Sequence, residues 1–399
     1  MSVGKARSQA RSQARSQARS QVRSRTTSRS TALANARENS RATSRKGKNA
    51  KRVINPLFRL IVLGLLLFAL YVSFHAYKAY KRMNGTNVFL SYKSKPIYLE
   101  IPSGCTWPEL LDLIERNRIV RDQAAFAWVA QELGYKQSIR PGRYNLSGIK
   151  SNRELVDHLK TGKQSPVEIS IRKFRRIASL AAALGAKLEP DSVDFHRMFL
   201  DTLALSEIGL RPETAMSLFI PGSYAFLWNS SAPEICSQMH DRYVKFWTPH
   251  RRRAAEDLGL SASEVFTLAS IVDEESDRPS EFRRIAGVYM NRLRLGMPLQ
   301  ADPTLRFASG NDDLRRIEGA VLRIESPYNT YLNTGLPPGP ICTPSIAAID
   351  STLKAERHNY LYFCARSDFS GYHSFAADFP THQRNARAYQ RALNAINRD

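Results

Sequence analysis

Residues 268–275, LASIVDEE, place three acids, Asp273, Glu274 and Glu275, directly behind an apolar run. Acids on the wet face of a helix stay ionised. A carboxyl turned toward apolar neighbours behaves differently, because loss of water disfavours its charged form and lifts its pKa toward the range a general acid needs at neutral pH. Taken as a helix over 263–276, with Ser263 near its start, the segment gathers Val265, Leu268, Ile271 and Val272 on one face. At about 100° per residue, Glu275 falls roughly 20° from Leu268, in the middle of that face, whereas Asp273 and Glu274 project away from it. Two readings of Glu275 follow. It is either a proton donor, or a buried acid paired with Arg278, Arg283 or Arg284, since ion pairs perturb carboxylates too.

The segments that follow bear on the choice. GMPLQADPTLRF (296–307) and SPYNTYLNTGLPPGPICTPS (326–345) are dense in Pro, Gly, Asn, Gln and Thr, which fix backbone shape and offer neutral hydrogen-bonding groups. Such a lining suits a sugar or amide polymer better than a phosphate. Turn-making accounts for Pro337, Pro338 and Gly339, while Gln300 and Asn329 are candidates for ligand contact. Other chemistries find little support. The eight histidines lack HExxH or comparable ligand spacing, so no metal is expected, and no GxSxG marks a serine nucleophile. No cofactor is expected. Cys105, Cys236, Cys342 and Cys364 show no CxxC spacing, and a Cys342–Cys364 bridge stays open.

The elements that must position Glu275 are legible around it. A second helix, about 281–294, carries its own stripe of Phe282, Ile285, Ala286, Tyr289 and Leu293. Upstream, IYLEI alternates as a strand and leads into a helix opened by a Thr106/Glu109 capping box; Ser151/Glu154 opens another that Gly162 stops. These form a small α+β module over 88–164. A new unit, 165–399, starts with a strand on Val167, Ile169 and Ile171, without a Gly-rich phosphate loop behind it. It ends in a strand, a Gly turn and a closing helix. Strands and helices mix without regular alternation, so the fold class is α+β.

The formal charge of +23 suggests nucleic acid until it is divided along the chain. Residues 1–52 hold 15 Lys/Arg against one acid, Glu38, and so carry +14 of it. This Arg/Ser/Gln/Ala repeat has no apolar period and no aromatic residue, so residues 1–56 are expected to be a disordered tail without specific nucleic-acid binding. Behind it, 57–78 read as a transmembrane helix: Leu60 to Ala76 lacks proline and full charge apart from His75. With the basic cluster before the span, the N-terminus belongs in the cytoplasm and everything beyond about residue 83 outside. The span is not laid out as a cleaved signal peptide, which points to a permanent single-pass anchor in the plasma (inner) membrane.

At ASIVDEES (269–276), NRLRLGMPLQADPT (291–304), SPYNTYLNTGLPPGPI (326–341) and YHSF (372–375) with the later His382, the chain resembles the endolytic murein transglycosylase, or YceG-like, family, as a divergent branch. The resemblance runs from about residue 85 to the end. It implies a LysM-like first module, a single-pass membrane protein with its enzyme outside, and peptidoglycan glycan strands as substrate. It also implies lyase cleavage of the MurNAc–GlcNAc β-1,4 bond to leave 1,6-anhydroMurNAc ends, terminating nascent strands, with peptidoglycan synthases as partners. The family's catalytic glutamate falls on Glu275; Gln300, Asp302, Tyr328, Asn329, His373, Phe375 and His382 fall on other motif positions that line or support the cleft. Two departures stand out: the family's Glu-Lys-Glu run reads Asp273-Glu274-Glu275, and an upstream acid-bearing block reads MSLFIPGSY (216–224). A hydrolase using Asp302 as second carboxyl, and a non-catalytic wall-binding scaffold for synthases, are the alternatives.

Overall fold

The structure, a computed structural model, describes residues 56–89, 96–311, 314 and 317–396. The basic tail lies outside the described residues. The chain divides into two units between Tyr77 and Lys78. What is described of the first belongs to helix α1 (Pro56–Asn84), 29 residues and roughly 43 Å long, with none of its residues buried. Its length and composition are sufficient to cross a membrane, whose hydrocarbon layer is about 30 Å thick.

The second unit is α+β, with three two-stranded antiparallel sheets among its described residues. Its first part holds β1 (Tyr98–Ile101), α2 (Trp107–Arg116), α3 (Gln123–Glu132), β2 (Gly142–Asn145) and α4 (Asn152–Thr161). β1 pairs β2 from Tyr98 opposite Asn145 to Ile101 opposite Gly142. Both capping boxes form, Thr106 with Glu109 and Ser151 with Glu154, so local hydrogen bonds satisfy the first turns of α2 and α4. Gly162 ends α4 at φ +66°, a left-handed conformation open to glycine. Leu99, Ile101, Leu110, Phe126, Tyr144 and Leu155 close a core of their own.

The remainder begins with β3 (Val167–Ile171), α5 (Ile177–Gly185), α6 (Ser192–Phe199), α7 (Thr202–Glu207) and β4 (Gly222–Phe226), β3 pairing β4. Then come α8 (Ala232–Phe246), α9 (Pro249–Glu256), α10 (Ala262–Glu275), α11 (Phe282–Arg294), α12 (Asp302–Ser309) and α13 (Ile346–Leu353). A hairpin of β5 (Tyr362–Ala365) and β6 (His373–Ala376) precedes the last helix, α14 (Phe379–Ile396). One large core runs through this part, with Leu268, Phe266 and Ile271 of α10 among its fully buried members.

Helix α10 starts one turn-position earlier than the apolar pattern suggests. Ser261 is its cap, in a box with Glu264, and Ser263 lies inside the first turn. The expectation that Asp273 and Glu274 project away from the buried face is corrected. Every residue from Val265 to Asp273 is buried, because α11, α12, α13 and the 3-10 turn at 212–218 pack around α10 on all sides. Asp273 accepts a 2.5 Å hydrogen bond from the Ser345 hydroxyl, and Glu274 is gripped by Arg175 at 2.6 Å. Both acids are thus held by protein groups, although the second oxygen of Asp273 is buried without a hydrogen-bond partner.

Gly339 has a function beyond turn-making. A Cβ there would stand 1.8 Å from the carbonyl oxygen of Glu213, so only glycine lets the 339–341 backbone reach the core. From there the Ile341 amide donates to the Ser270 hydroxyl at 3.0 Å, tying the loop to α10. All four cysteines are free.

Candidate active site

Glu275 is the last residue of α10, and at Ser276 the backbone turns extended. Its carboxyl meets α11, where the Tyr289 hydroxyl donates to Oε1 at 2.6 Å. Tyr289 is itself buried, with its ring edge-on to Phe363 of β5 at 5.9 Å. Glu275 keeps partial contact with solvent, yet protein atoms crowd its carboxyl closely. Desolvation by that crowding pushes its pKa up from 4.5 to about 7, the negative charge of Asp302 adds to the rise, and Tyr289, Arg306 and Arg292 oppose it. At neutral pH the group can therefore both give and take a proton.

None of the arginines nearest in sequence is bound to it. Arg278 donates to the Ser370 carbonyl at 2.9 Å, Arg283 to the Lys354 carbonyl at 2.9 Å, and Arg284 to Glu356 at 3.2 Å. The guanidiniums that do act on the group are those of Arg306 on α12 and of Arg292, one turn beyond Tyr289 and buried. Arg292 donates to the carbonyls of Leu361 and Leu299, both at 2.7 Å, and to Gln300 Oε1 at 3.4 Å. Its donors are largely spent on backbone, so it fixes the 298–300 segment while contributing charge at a distance.

Asp302 opens α12 and accepts a 2.6 Å bond from the Tyr331 hydroxyl. Gln300, just before it, is held at φ +49° and is exposed, a backbone conformation that costs a non-glycine residue of order 1 kcal/mol or more and recurs at functional sites. Asn329 is fully buried and bonded only to its own loop: its amide donates to the carbonyls of Leu322 and Ile324, and its Oδ1 accepts from the Tyr331 amide. Asn329 thus sets the loop that presents Tyr331 to Asp302. Tyr328 points elsewhere, its ring 4.7 Å from that of Phe307.

The C-terminal candidates form the wall behind Tyr289. His373 Nδ1 lies 2.8 Å from Glu281 Oε2 and its amide donates to Glu281 Oε1 at 3.0 Å, fastening the β5–β6 hairpin to the turn between α10 and α11. Phe375 packs between Phe363 and Tyr360 in the same hairpin. His382 stacks on Tyr362 at 5.2 Å, and burial holds its pKa below the ordinary histidine value, with the Arg292 charge adding to the effect. Arg292 in turn lies over the Tyr362 ring at 5.3 Å. The structure therefore brings Glu275, Asp302, Gln300 and His382 around Arg292, places Asn329, His373 and Phe375 one layer back, and leaves Tyr328 aside.

Sequence reasoning missed Tyr289, Arg292, Glu281 and Tyr331 as site residues. Tyr289 was visible only as a member of an apolar stripe; a tyrosine hydroxyl carried into the interior needs a partner, and that is the signal that could have found it. Two concavities are formed by other residues. One of about 660 Å³ is lined by Tyr98, Arg143, Lys187 and Trp228, and another of about 470 Å³ by Ser103, Glu189 and Asn229. Among the described residues no three His, Cys, Asp or Glu side chains converge as a metal-holding set.

Residues 99–388 match the model of the YceG-like family. The chain is 25% identical over 287 residues to the endolytic murein transglycosylase of Bacillus subtilis, which takes in 68% of this chain and 79% of that protein. It is 26% identical over 336 residues to the protein of the same name from Streptococcus pneumoniae, covering 76% of this chain and 60% of that one, so it spans three-fifths of the streptococcal relative's length. A crystal structure of a YceG-like protein from Listeria monocytogenes shares the fold, with a TM-score of 0.50 at 23% identity over 73% of this chain and 99% of that one. With a family model matching it from the first strand into the last helix, the chain belongs to the YceG-like family.

Proposed function

We propose that this chain is a membrane-anchored lyase that cuts peptidoglycan glycan strands internally, with Glu275 as its one acid and base. The reading takes residues 57–78 as a single-pass anchor with the N-terminus in the cytoplasm, residues 88–164 as a LysM-like module, and residues 165–399 as the catalytic part, outside the membrane. The basic tail then serves as topology determinant and contact for anionic lipid. Cell-wall synthases fit as partners, because the product is a finished strand end.

In the proposed reaction, protonated Glu275 gives its proton to the oxygen of the MurNAc–GlcNAc β-1,4 bond as the C1–O bond breaks. The oxygen leaves with the electron pair. The 6-hydroxyl oxygen of the same MurNAc closes on C1, and its proton passes to the Glu275 carboxylate, which restores the enzyme and consumes no water. A single carboxyl can serve both halves, whereas hydrolysis by the common route asks for two at a set separation. A polymer cut in mid-strand must lie across an open face rather than enter a closed cavity, and Glu275 keeps partial contact with solvent.

The observation that carries this reading is the carboxyl of Glu275, crowded at the end of a buried helix, bonded to a phenol and poised near pH 7. Mass analysis of muropeptides released by the purified ectodomain tests it. Anhydro-ended products from the wild type, and none from Glu275→Gln, are expected. Reducing MurNAc ends would make the protein a hydrolase, and equal glycan-strand lengths in cells carrying either form would leave only a wall-binding scaffold.

A further inference from the structure

Two tyrosines each bind one carboxylate at the site, in the same way and at the same distance. Tyr289 donates to Glu275 Oε1 and Tyr331 donates to Asp302 Oδ1, both at 2.6 Å. The two pairs come from different parts of the chain. Tyr289 projects from the middle of α11, its ring fixed by burial and by the edge of Phe363. Tyr331 is set by its loop, where its amide is bound by Asn329 Oδ1 and the neighbouring Thr330 hydroxyl accepts from the Ala301 amide at 3.0 Å. Burial fixes the Tyr289 ring, and the loop bonds fix the backbone from which Tyr331 projects.

We propose that Tyr289 is a positioning residue that occupies Oε1 of Glu275 and leaves Oε2 as the atom that gives and receives the substrate's proton, while Tyr331 keeps Asp302 as a fixed negative charge and not a nucleophile. The inference rests on the function proposed above. The proton then leaves Oε2 for the glycosidic oxygen and returns to Oε2 from the 6-hydroxyl; Tyr289 keeps its own proton throughout. Burial and the adjacent Glu275 hold the Tyr289 phenol well above its ordinary pKa, and burial with Asp302 does the same for Tyr331, so both remain donors across the working range.

The two elements act on Glu275 with opposite sign. A hydrogen bond donated to the carboxylate favours its charged form, and a neighbouring carboxylate disfavours it. The other charges facing the group are Arg306 on α12 and Arg292 on α11, with His382 of α14 behind Arg292; on α10 itself, Asp273 is bound by Ser345 and Glu274 by Arg175. These are common to every variant compared, so they cancel in the comparison.

The test is the pH profile of kcat/KM on purified glycan strands for the wild type, Tyr289→Phe and Asp302→Asn. The alkaline limb reports loss of the acid form of Glu275. Tyr289→Phe moves that limb to higher pH and Asp302→Asn moves it to lower pH, each by roughly one pH unit. Asp302→Asn still releases anhydro ends, so its remaining activity gives a limb to read whatever the height of its plateau. A merely structural role for either residue would lower the plateau and leave the limb in place. Limbs that stay put, or move the same way, overturn the assignment, and so does an Asp302→Asn enzyme dead at every pH, which would make Asp302 a nucleophile. Should Tyr289→Phe fail to fold, 3-fluorotyrosine introduced at position 289 keeps the ring and strengthens the donor, and the limb must then move to lower pH. An active Glu275→Gln would instead defeat the function itself, which keeps the two failures distinct.

Discussion

The hydroxyl of Tyr289 and the carboxyl of Glu275 lie 2.6 Å apart, joining the end of one helix to the middle of the next across 14 residues of chain. Around that contact the protein carries an acid that burial pulls toward its neutral form and a phenol that pulls it back. The balance leaves the group titrating near pH 7, where one side chain can work in both directions.

The same balance links to stability. The folded-state pKa of Glu275, about 7, stands above the unfolded 4.5, so the folded protein binds this proton more tightly than the unfolded chain does. The corresponding stabilisation is complete below about pH 4.5 and fades as pH rises through 7. Wild type should therefore lose about 3 kcal/mol relative to Glu275→Gln as pH rises from about 4 to about 8 and run parallel to it above. Denaturant melts of both proteins from pH 4 to 9 check this, and parallel curves throughout would contradict it.

The hairpin wall depends on Glu281. Its carboxylate is nearly buried and holds both the amide and the ring of His373. Glu281→Ala removes both bonds and leaves a part-buried amide and ring nitrogen without partners, at an expected cost of about 1–3 kcal/mol. Because β5 also carries Phe363 against Tyr289, activity should fall further than the lost stability explains. Chemical denaturation alongside turnover measured well below the melting range separates the two effects.

Gly339→Ala provides a check on the loop that backs α10. The new methyl would overlap the Glu213 carbonyl oxygen, which is backbone and cannot swing aside. The expected result is a destabilisation of about 3 kcal/mol or more, with loss of the Ile341–Ser270 bond. A melting temperature within a degree of wild type would show that the loop shifts freely.

Local signals carried much of the fold. The capping boxes of α2 and α4, the strand on Val167, Ile169 and Ile171, and the stripe of α11 all appear where sequence periodicity places them, since each depends on residues a few positions apart. Glu275 stood out for the same reason. Asp273 and Glu274 were misread because helical phase reveals one buried face and says nothing of a helix enclosed on every side; Ser345 and Arg175, which hold them, are about 70 and 100 residues away. The Tyr331–Asp302 and Glu281–His373 pairs are likewise long-range, and loops rich in Asn, Thr and Gly do not announce which side chain they will present. Asn329 illustrates the difficulty, for it looked like a ligand contact and is bonded to its own loop.

The central claim is that Glu275 holds its proton close to neutrality. A carbon-13 NMR titration of the protein, with the Glu275 carboxyl assigned by its disappearance in Glu275→Gln, reads this directly. The account predicts a midpoint at about pH 7. A midpoint near the ordinary glutamate value of about 4.3 would contradict it, because the group would then be an ionised carboxylate at neutral pH with no proton to give.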